Sequence, residues 1–282
     1  MAGLLYLVGT PIGNLGDMSP RAKETLESVD FIAAEDTRVT LKLLNHFGIR
    51  KPLVSYYEHN RAASGERIAE RLEAGESCAL VTDAGMPAIS DPGEDLVRLC
   101  RDRDIEVRIV PGPSSVVSAL ALSALPTGRF TFEGFLSVTK KSRFEHLNSL
   151  KGETRTMIFL EAPHKLKATL ADMLAVFGDR EISLSRELTK IHEETLHLTL
   201  ARACEMYAEI SPRGEYVLCV RGSEPPSAAA SDPAEAVDAV LALRGKGLSL
   251  KEASRRISED TGLSRKLLYD AALKRREGSG ED

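Results

Sequence analysis

Cysteine is scarce. The four thiols, Cys78, Cys100, Cys204 and Cys219, lie far apart in 282 residues, with no CxxC pair, which argues against a disulfide framework or a thiolate zinc site and fits buried, reduced side chains. No apolar run approaches the roughly 20 residues that span a bilayer. The opening MAGLLYLVG carries neither a basic leader nor a small-residue cleavage site, so a soluble, unexported, cytoplasmic chain is expected. His192 and His197 have no third ligand in sight, and no metal is expected. Two nucleotide-binding signatures are missing as well. Gly9, Gly13 and Gly16 do not match GxGxxG, and there is no GK[ST] for a phosphate-cradling loop. Glu35 would serve the ribose half of a dinucleotide fingerprint, but Pro11 removes an amide donor from the loop, leaving only a weak Rossmann reading.

With 43% hydrophobic residues the chain can build a sizeable core, and its length suggests about two domains. The formal net charge is −5, which argues against a wholly nucleic-acid-binding surface, but the charge is unevenly spread. From Arg244 to Arg276 ten Lys or Arg face four acids, a local balance of +6, so the remainder carries −11.

Apolar runs LLYLVG (4–9), DFIAAE (30–35), CALVTD (78–83) and VRIVPG (107–112) read as strands buried on both faces of a parallel sheet. Between them lie helical signals, such as Ser19 and Pro20 as N-cap and first helical residue, and ASGERIAERLEAG ending in Gly75. Beyond residue 122, TFEGF, TRTMIFLEAP, REISLSREL and GEYVLCVRG read as strands of a second, more mixed α/β lobe. GSEPPSAAASDP (222–233) reads as a linker. Three short helices follow, with Ser249 and Ser264 placed as N-caps and a tight Thr261-Gly262-Leu263 turn like that of a helix-turn-helix. The expected divisions are 1–121, 122–222 and 233–282. The basic helical module is read either as an RNA contact, through Arg255, Arg256, Arg265 and Lys266, or as a dimer-stabilising cap.

Three loops follow strands. GTPIGNLG admits close backbone approach, TDAGMPAISDPG crowds Gly, Pro and two Asp at a strand end, and PGPSS offers amides and hydroxyls at a helix start. Leaving neighbouring strands, they imply one pocket. Glu35-Asp36-Thr37-Arg38 and Arg186-Glu187-Leu188-Thr189-Lys190 supply carboxylate, amine and guanidinium, although each could be a solvated ion-paired face. His164 could bind RNA or act as a base, and equally could be a structural hydrogen bonder.

GTPIGNLGD, AEDTR, TDAGMPAISDPG, PGPSS, EAPHKL and RELTKIHEE occur in that order. Together they resemble the tetrapyrrole-methylase superfamily, and within it the branch that methylates the 2'-hydroxyl of a cytidine in small-subunit ribosomal RNA. The resemblance spans about residues 4–222 and extends to the basic tail. Met86 departs from it, since the family commonly has Thr there. The resemblance implies a two-lobed α/β class III methyltransferase fold with a small C-terminal helix-turn-helix-like module, a homodimer, and S-adenosylmethionine in the cleft. Carried over by position, cofactor contacts fall on Pro11, Ile12, Asp83, Gly85, Met86, Ile89, Ser114 and Ser115, with Glu161 added. Asp36, Arg38, Glu187 and Lys190 are the catalytic candidates. A tetrapyrrole-precursor methyltransferase and a non-catalytic RNA-binding assembly factor are the alternatives; the basic tail speaks against the first, and methyl transfer would exclude the second.

Overall fold

A computed structural model describes residues 3–224 and 232–279. The chain divides into two compact units, Met1–Gly222 and Ser223–Asp282. Of the expected linker, residues 225–231 lie outside the described residues.

In chain order the first part of the larger unit comprises β1 (Leu4–Val8), α1 (Pro20–Ser28), β2 (Phe31–Ala34), α2 (Thr37–Phe47), β3 (Leu53–Ser55), α3 (Arg61–Glu73), β4 (Cys78–Val81), α4 (Glu94–Asp102), β5 (Glu106–Val110) and α5 (Ser115–Leu122). All five strands are parallel, in the order β3-β2-β4-β1-β5. β2 and β4 are wholly buried, as uninterrupted apolar runs require when helices cover both faces. One core gathers around Leu5, Phe31, Ile68 and Leu80 and another around Val8, Leu26, Ile32 and Val81. Each such side chain contributes roughly 1.5–3 kcal/mol by leaving water. Helix starts follow local chemistry: Ser19 accepts from the Ala22 amide ahead of Pro20, and Asp36 accepts from the Arg38 amide.

The reading of VRIVPG as buried on both faces is corrected. Among the described residues β5 pairs only with β1 and forms the sheet edge, where Glu106, Arg108 and Ile109 are exposed. An apolar run marks a strand but not its place in the sheet.

The second part comprises β6 (Phe130–Phe135), α6 (Lys140–Ser149), β7 (Thr156–Glu161), α7 (Pro163–Phe177), β8 (Glu181–Arg186), β9 (Glu194–Thr199), α8 (Leu200–Glu209) and β10 (Tyr216–Val220). Its sheet runs β6-β7-β10-β8-β9. It is mixed: β6 and β7 are parallel, while β10 is antiparallel to both β7 and β8. The C-terminal ends of β6, β7 and β8 therefore share one edge. A core around Phe159, Leu170, Tyr216 and Leu218 fills the space beneath α7 and α8.

The smaller unit holds α9 (Pro233–Gly245), α10 (Leu250–Thr261) and α11 (Arg265–Ser279) around Val237, Val240, Ala253, Ile257, Leu268 and Ala272. Ser249 caps α10 by accepting from the Glu252 amide. Gly262 ends α10 in the left-handed conformation, and Ser258 Oγ donates to the Leu263 carbonyl across the turn.

Candidate active site

β4, β1 and β5 are neighbours, so the loops that follow them meet at one sheet edge, the usual ligand edge of a parallel sheet. They are locked by close backbone approach. A Cβ on Gly9 would fall 2.7 Å from the Gly112 Cα and 2.6 Å from the Met86 sulfur, so only glycine allows loops one and three to touch. Thr10 and Gly85 exchange amide hydrogen bonds of 2.9 and 3.1 Å, tying loop one to loop two. Gly85, at φ +85°, turns the second loop there. Met86 contributes its sulfur, which accepts from the Gly112 amide at 3.3 Å. The departure from the family pattern at this position therefore lands at the junction of all three loops.

A cavity of about 360 Å³ opens beyond this junction, within the size range of ligand pockets. It is lined by Ile12, Asp83, Gly85, Met86, Ile89, Ser114 and Ser115 from the first part of the unit and by Glu161, Arg186, Glu187 and Lys190 from the second. Pro11 is not among the lining residues, and neither is His164, which is exposed in the first turn of α7. Asp36 and Arg38 also stand outside the lining and pair with each other at 2.6 Å at the start of α2. Their link to the cavity is indirect, since the Asp36 amide donates to Asp83 Oδ1 at 3.2 Å. In the smaller unit Arg255, Arg256, Arg265 and Lys266 are all exposed. His197 points its Nε2 to the Leu122 carbonyl at 2.8 Å. Among the described residues no three His, Cys, Asp or Glu side chains converge as a metal-ligand set.

The cavity is acidic, and Glu35, Asp83 and Asp91 within it are perturbed. Burial, reinforced by Glu35, Asp83 and Glu215, pushes the Asp91 carboxyl up to about 7. Burial likewise raises Glu35, with Asp83 adding to it, and raises Asp83. Asp36 behaves in the opposite way: hydrogen bonds from the Arg38 side chain and amide hold it down at about 2. Glu161 is buried but well supplied, with the Ala162 amide at 2.9 Å, Thr169 Oγ1 at 2.5 Å and Lys165 Nζ at 3.0 Å. Lys190 pairs with Glu187 at 3.0 Å and Arg186 with Glu194 at 2.7 Å.

Ser114 precedes α5 without spending its side chain on a cap, which leaves a hydroxyl and the first helix amides facing the cavity. Clustered carboxylates, free hydroxyls and small residues suit a polar ligand that carries positive charge. Asp91, Glu215 and Phe135 are lining residues that the sequence reading passed over. Asp91 had a signal, as the second Asp of TDAGMPAISDPG; Glu215 and Phe135 are brought in by the second sheet and had none.

Comparison with known proteins gives concordant matches. The model of tetrapyrrole (corrin/porphyrin) methylases matches residues 4–204, and that of the RsmI C-terminal HTH domain matches residues 230–276. The chain is similar to the ribosomal RNA small subunit methyltransferase I of Synechocystis, at 47% identity over 96% of this chain and 98% of that protein. The protein of the same name from Thermotoga maritima is 47% identical over 222 residues, which make up 79% of this chain and all of that one. Among solved structures, uroporphyrin-III C-methyltransferase from Thermus thermophilus, complexed with S-adenosyl homocysteine, aligns with TM-score 0.54 at 19% identity over 77% of this chain and 97% of its own. Diphthine synthase aligns with TM-score 0.59 at 15% identity over 78% and 90%. At such identities the structural likeness speaks for the fold.

Proposed function

The chain belongs to the tetrapyrrole methylase family, in the group of ribosomal RNA small subunit methyltransferases I, and from that premise we propose that it methylates the 2'-hydroxyl of a cytidine in small-subunit ribosomal RNA. S-adenosylmethionine is its cofactor and supplies a methyl group carried on a sulfonium. One observation carries the reading: three loops fused at Gly9, Gly85 and Gly112 open onto an acidic, hydroxyl-lined cavity. The residues present fit the cofactor. Gly9 and Gly112 let the loops close on each other at the cavity's back, Ser114 and Ser115 can orient polar groups, and Asp83 and its neighbouring acids favour a cation.

Because the leaving group is already good, the protein has to align the reactants and accept one proton. Asp91 is assigned as the proton acceptor, since its affinity, held near neutrality, lets it be ionised and still basic at working pH. Glu187 and Lys190, an ion pair in the cavity wall, orient the acceptor nucleotide. Asp36 and Arg38 act at one remove, by fixing the α2 start and the backbone that holds Asp83. The basic module engages RNA phosphates through Arg255, Arg256, Arg265 and Lys266. A homodimer is assigned to the exposed apolar side chains Ile109 of β5, Val117 and Leu122 of α5 and Phe130 of β6; light scattering tests it.

The deciding experiment incubates the protein with methyl-labelled S-adenosylmethionine and small subunits from cells that lack it, followed by mapping of 2'-O-methylation. Label on a single cytidine is the expected result. RNA binding without transfer would favour the assembly-factor reading, and transfer to a porphyrin-like macrocycle would favour the tetrapyrrole branch. None of the described helices is long and apolar enough to cross a membrane.

A further inference from the structure

Two exposed aliphatic side chains stand on loops that are rigidly held. Ile191 is 97% exposed and Val138 is 74% exposed. A lone exposed apolar group needs no explanation, but these two are presented by costly local structure. The loop bearing Ile191 holds Glu187 at φ +52° and Thr189 at φ +66°, conformations that cost a side-chain-bearing residue on the order of 1 kcal/mol or more each. It is braced by the Thr189 amide donating to Glu193 Oε2 at 2.6 Å and by the Lys190 amide donating to the Glu187 carbonyl at 3.0 Å. The loop bearing Val138 is pinned from below. Buried Arg143, anchored on buried Asp172 at 2.7 Å, donates from Nη1 to the carbonyls of Ser137 and Val138 at 3.1 and 3.2 Å.

Both tips rise from the same edge of the second sheet, after β6 and after β8. That edge also bears the cavity, which Phe135 and Lys190 line. Three strand spacings separate β6 from β8, about 14 Å across. Cations accompany each tip: Lys140 and Lys141 follow Val138, and Lys190 precedes Ile191. Lys140 and Lys141 open α6, where positive charge opposes the helix dipole, and their ties to the helix are loose: Lys141 meets Glu145 at 4.0 Å with both side chains exposed, and Lys140 lies 5.4 Å from the Phe144 ring centroid. The acids nearest Ile191 are engaged within its own loop, Glu187 by Lys190 and Glu193 by the Thr189 amide.

We propose that these tips are two jaws that hold a single strand of RNA across the cavity edge, with Val138 and Ile191 against unstacked bases and Lys140, Lys141 and Lys190 against phosphates. Resting on the RNA reading above, the inference names a docking surface in the larger unit that is separate from the basic helices. A ribose within a stacked helix could not enter a recessed site, and an apolar side chain pressed between bases is an established way to free one.

The test is fluorescence anisotropy of the full chain with a labelled single-stranded oligocytidylate of about 12 nucleotides, within the usual site size, at several salt concentrations. The C-terminal unit is present in every variant, so its contribution cancels. Val138→Ala with Ile191→Ala is expected to weaken binding about tenfold with an unchanged salt slope, because no phosphate contact is lost. Val138→Ile with Ile191→Val should bind within about twofold of the parent. Lys140→Gln with Lys141→Gln should make the log–log salt slope shallower by about 1.4. All three should keep their affinity for S-adenosylmethionine. Wild-type binding by the double-alanine protein overturns the proposal. So does a loss seen only with assembled subunits, which would make the tips a protein-docking surface. The oligonucleotide measurement involves no methyl transfer, so failure of the parent to methylate subunits would bear on the function and not on the jaws.

Discussion

The larger unit turns charge inward and the smaller one turns it outward. Around the cavity Glu35, Asp83 and Asp91 are carried away from their ordinary proton affinities by burial and by one another. In the C-terminal unit Arg256, Arg265 and Lys266 stand in solvent on helices whose core is built from Val, Ala, Ile and Leu. Arg265 and Lys266 even open α11, the end where a helix favours acids. The first arrangement suits one small cation recognised at short range, and the second suits a polyanion met through many screened contacts.

The contrast breaks most visibly at Asp91. Asp91→Asn should lower the methyl-transfer rate by about 10²–10⁴-fold, the usual worth of a positioned base, and remove a limb of the rate profile that rises with pH up to about 7. Stability should move the other way. A carboxyl raised from 3.8 to about 7 on folding penalises the ionised native state, so wild-type stability falls as pH climbs between those values and is level above them. The full shift would correspond to about 4 kcal/mol; with Asp91 only half buried, about 2 kcal/mol is the reasonable expectation. The Asn variant should therefore melt several degrees higher than wild type at pH 8 and together with it near pH 4. Equal melting at both pH values, with activity intact, would remove Asp91 from the mechanism.

A smaller effect is expected at Ser114, in the loop after β5. Ser114→Leu fills the cavity without entering a core, so S-adenosylmethionine affinity should drop on the order of 100-fold, about 2.7 kcal/mol, with little change in melting. The matching control is Ser264→Leu, an exposed position before α11, which should leave cofactor affinity untouched. Calorimetry on both proteins measures this directly. Undiminished affinity in a folded Ser114→Leu protein would detach the PGPSS loop from the site.

How much of this was legible in the sequence depended on how local the cause was. Uninterrupted apolar runs gave away β1, β2 and β4, and glycine-rich ends gave away the loops that fuse at Gly9 and Gly112, because glycine spacing is a backbone requirement. β3 is only three residues behind a proline, and β9, ETLHLT, alternates polar residues with two leucines on a sheet edge, so neither has an uninterrupted apolar run to notice. Asp83 and Asp91 look alike in TDAGMPAISDPG. Their difference lies in burial and in facing Glu35 and Glu215 from distant elements. Asp36 and Arg38 carried suitable chemistry, but the structure turns them toward each other at the head of α2. Proximity in sequence to Glu35 could not tell that Glu35 faces the cavity and they do not. The tips at Val138 and Ile191 had no signal at all, since exposure and bracing are tertiary properties.

The smallest effect should come from the C-terminal unit, and its size is what makes it informative. Deleting residues 233–282 should leave S-adenosylmethionine affinity and the melting of the larger unit unchanged, because the two units are compact separately. Binding to small subunits should weaken, and the remaining binding should depend less steeply on salt, since each neutralised phosphate contributes roughly 0.7–0.9 to the log–log slope. Arg265→Gln with Lys266→Gln, which keeps the helices, should make the slope shallower by about 1.4–1.8 if each cation meets one phosphate. A helix cap that served only to stabilise a dimer predicts something else: truncation would shift the monomer–dimer balance, followed by light scattering, and leave the salt slope where it was. Titrations at several salt concentrations, read beside the dimer equilibrium, separate the two. An unchanged slope in a dimeric truncation would assign RNA binding to the larger unit, and with it the task of finding the target nucleotide.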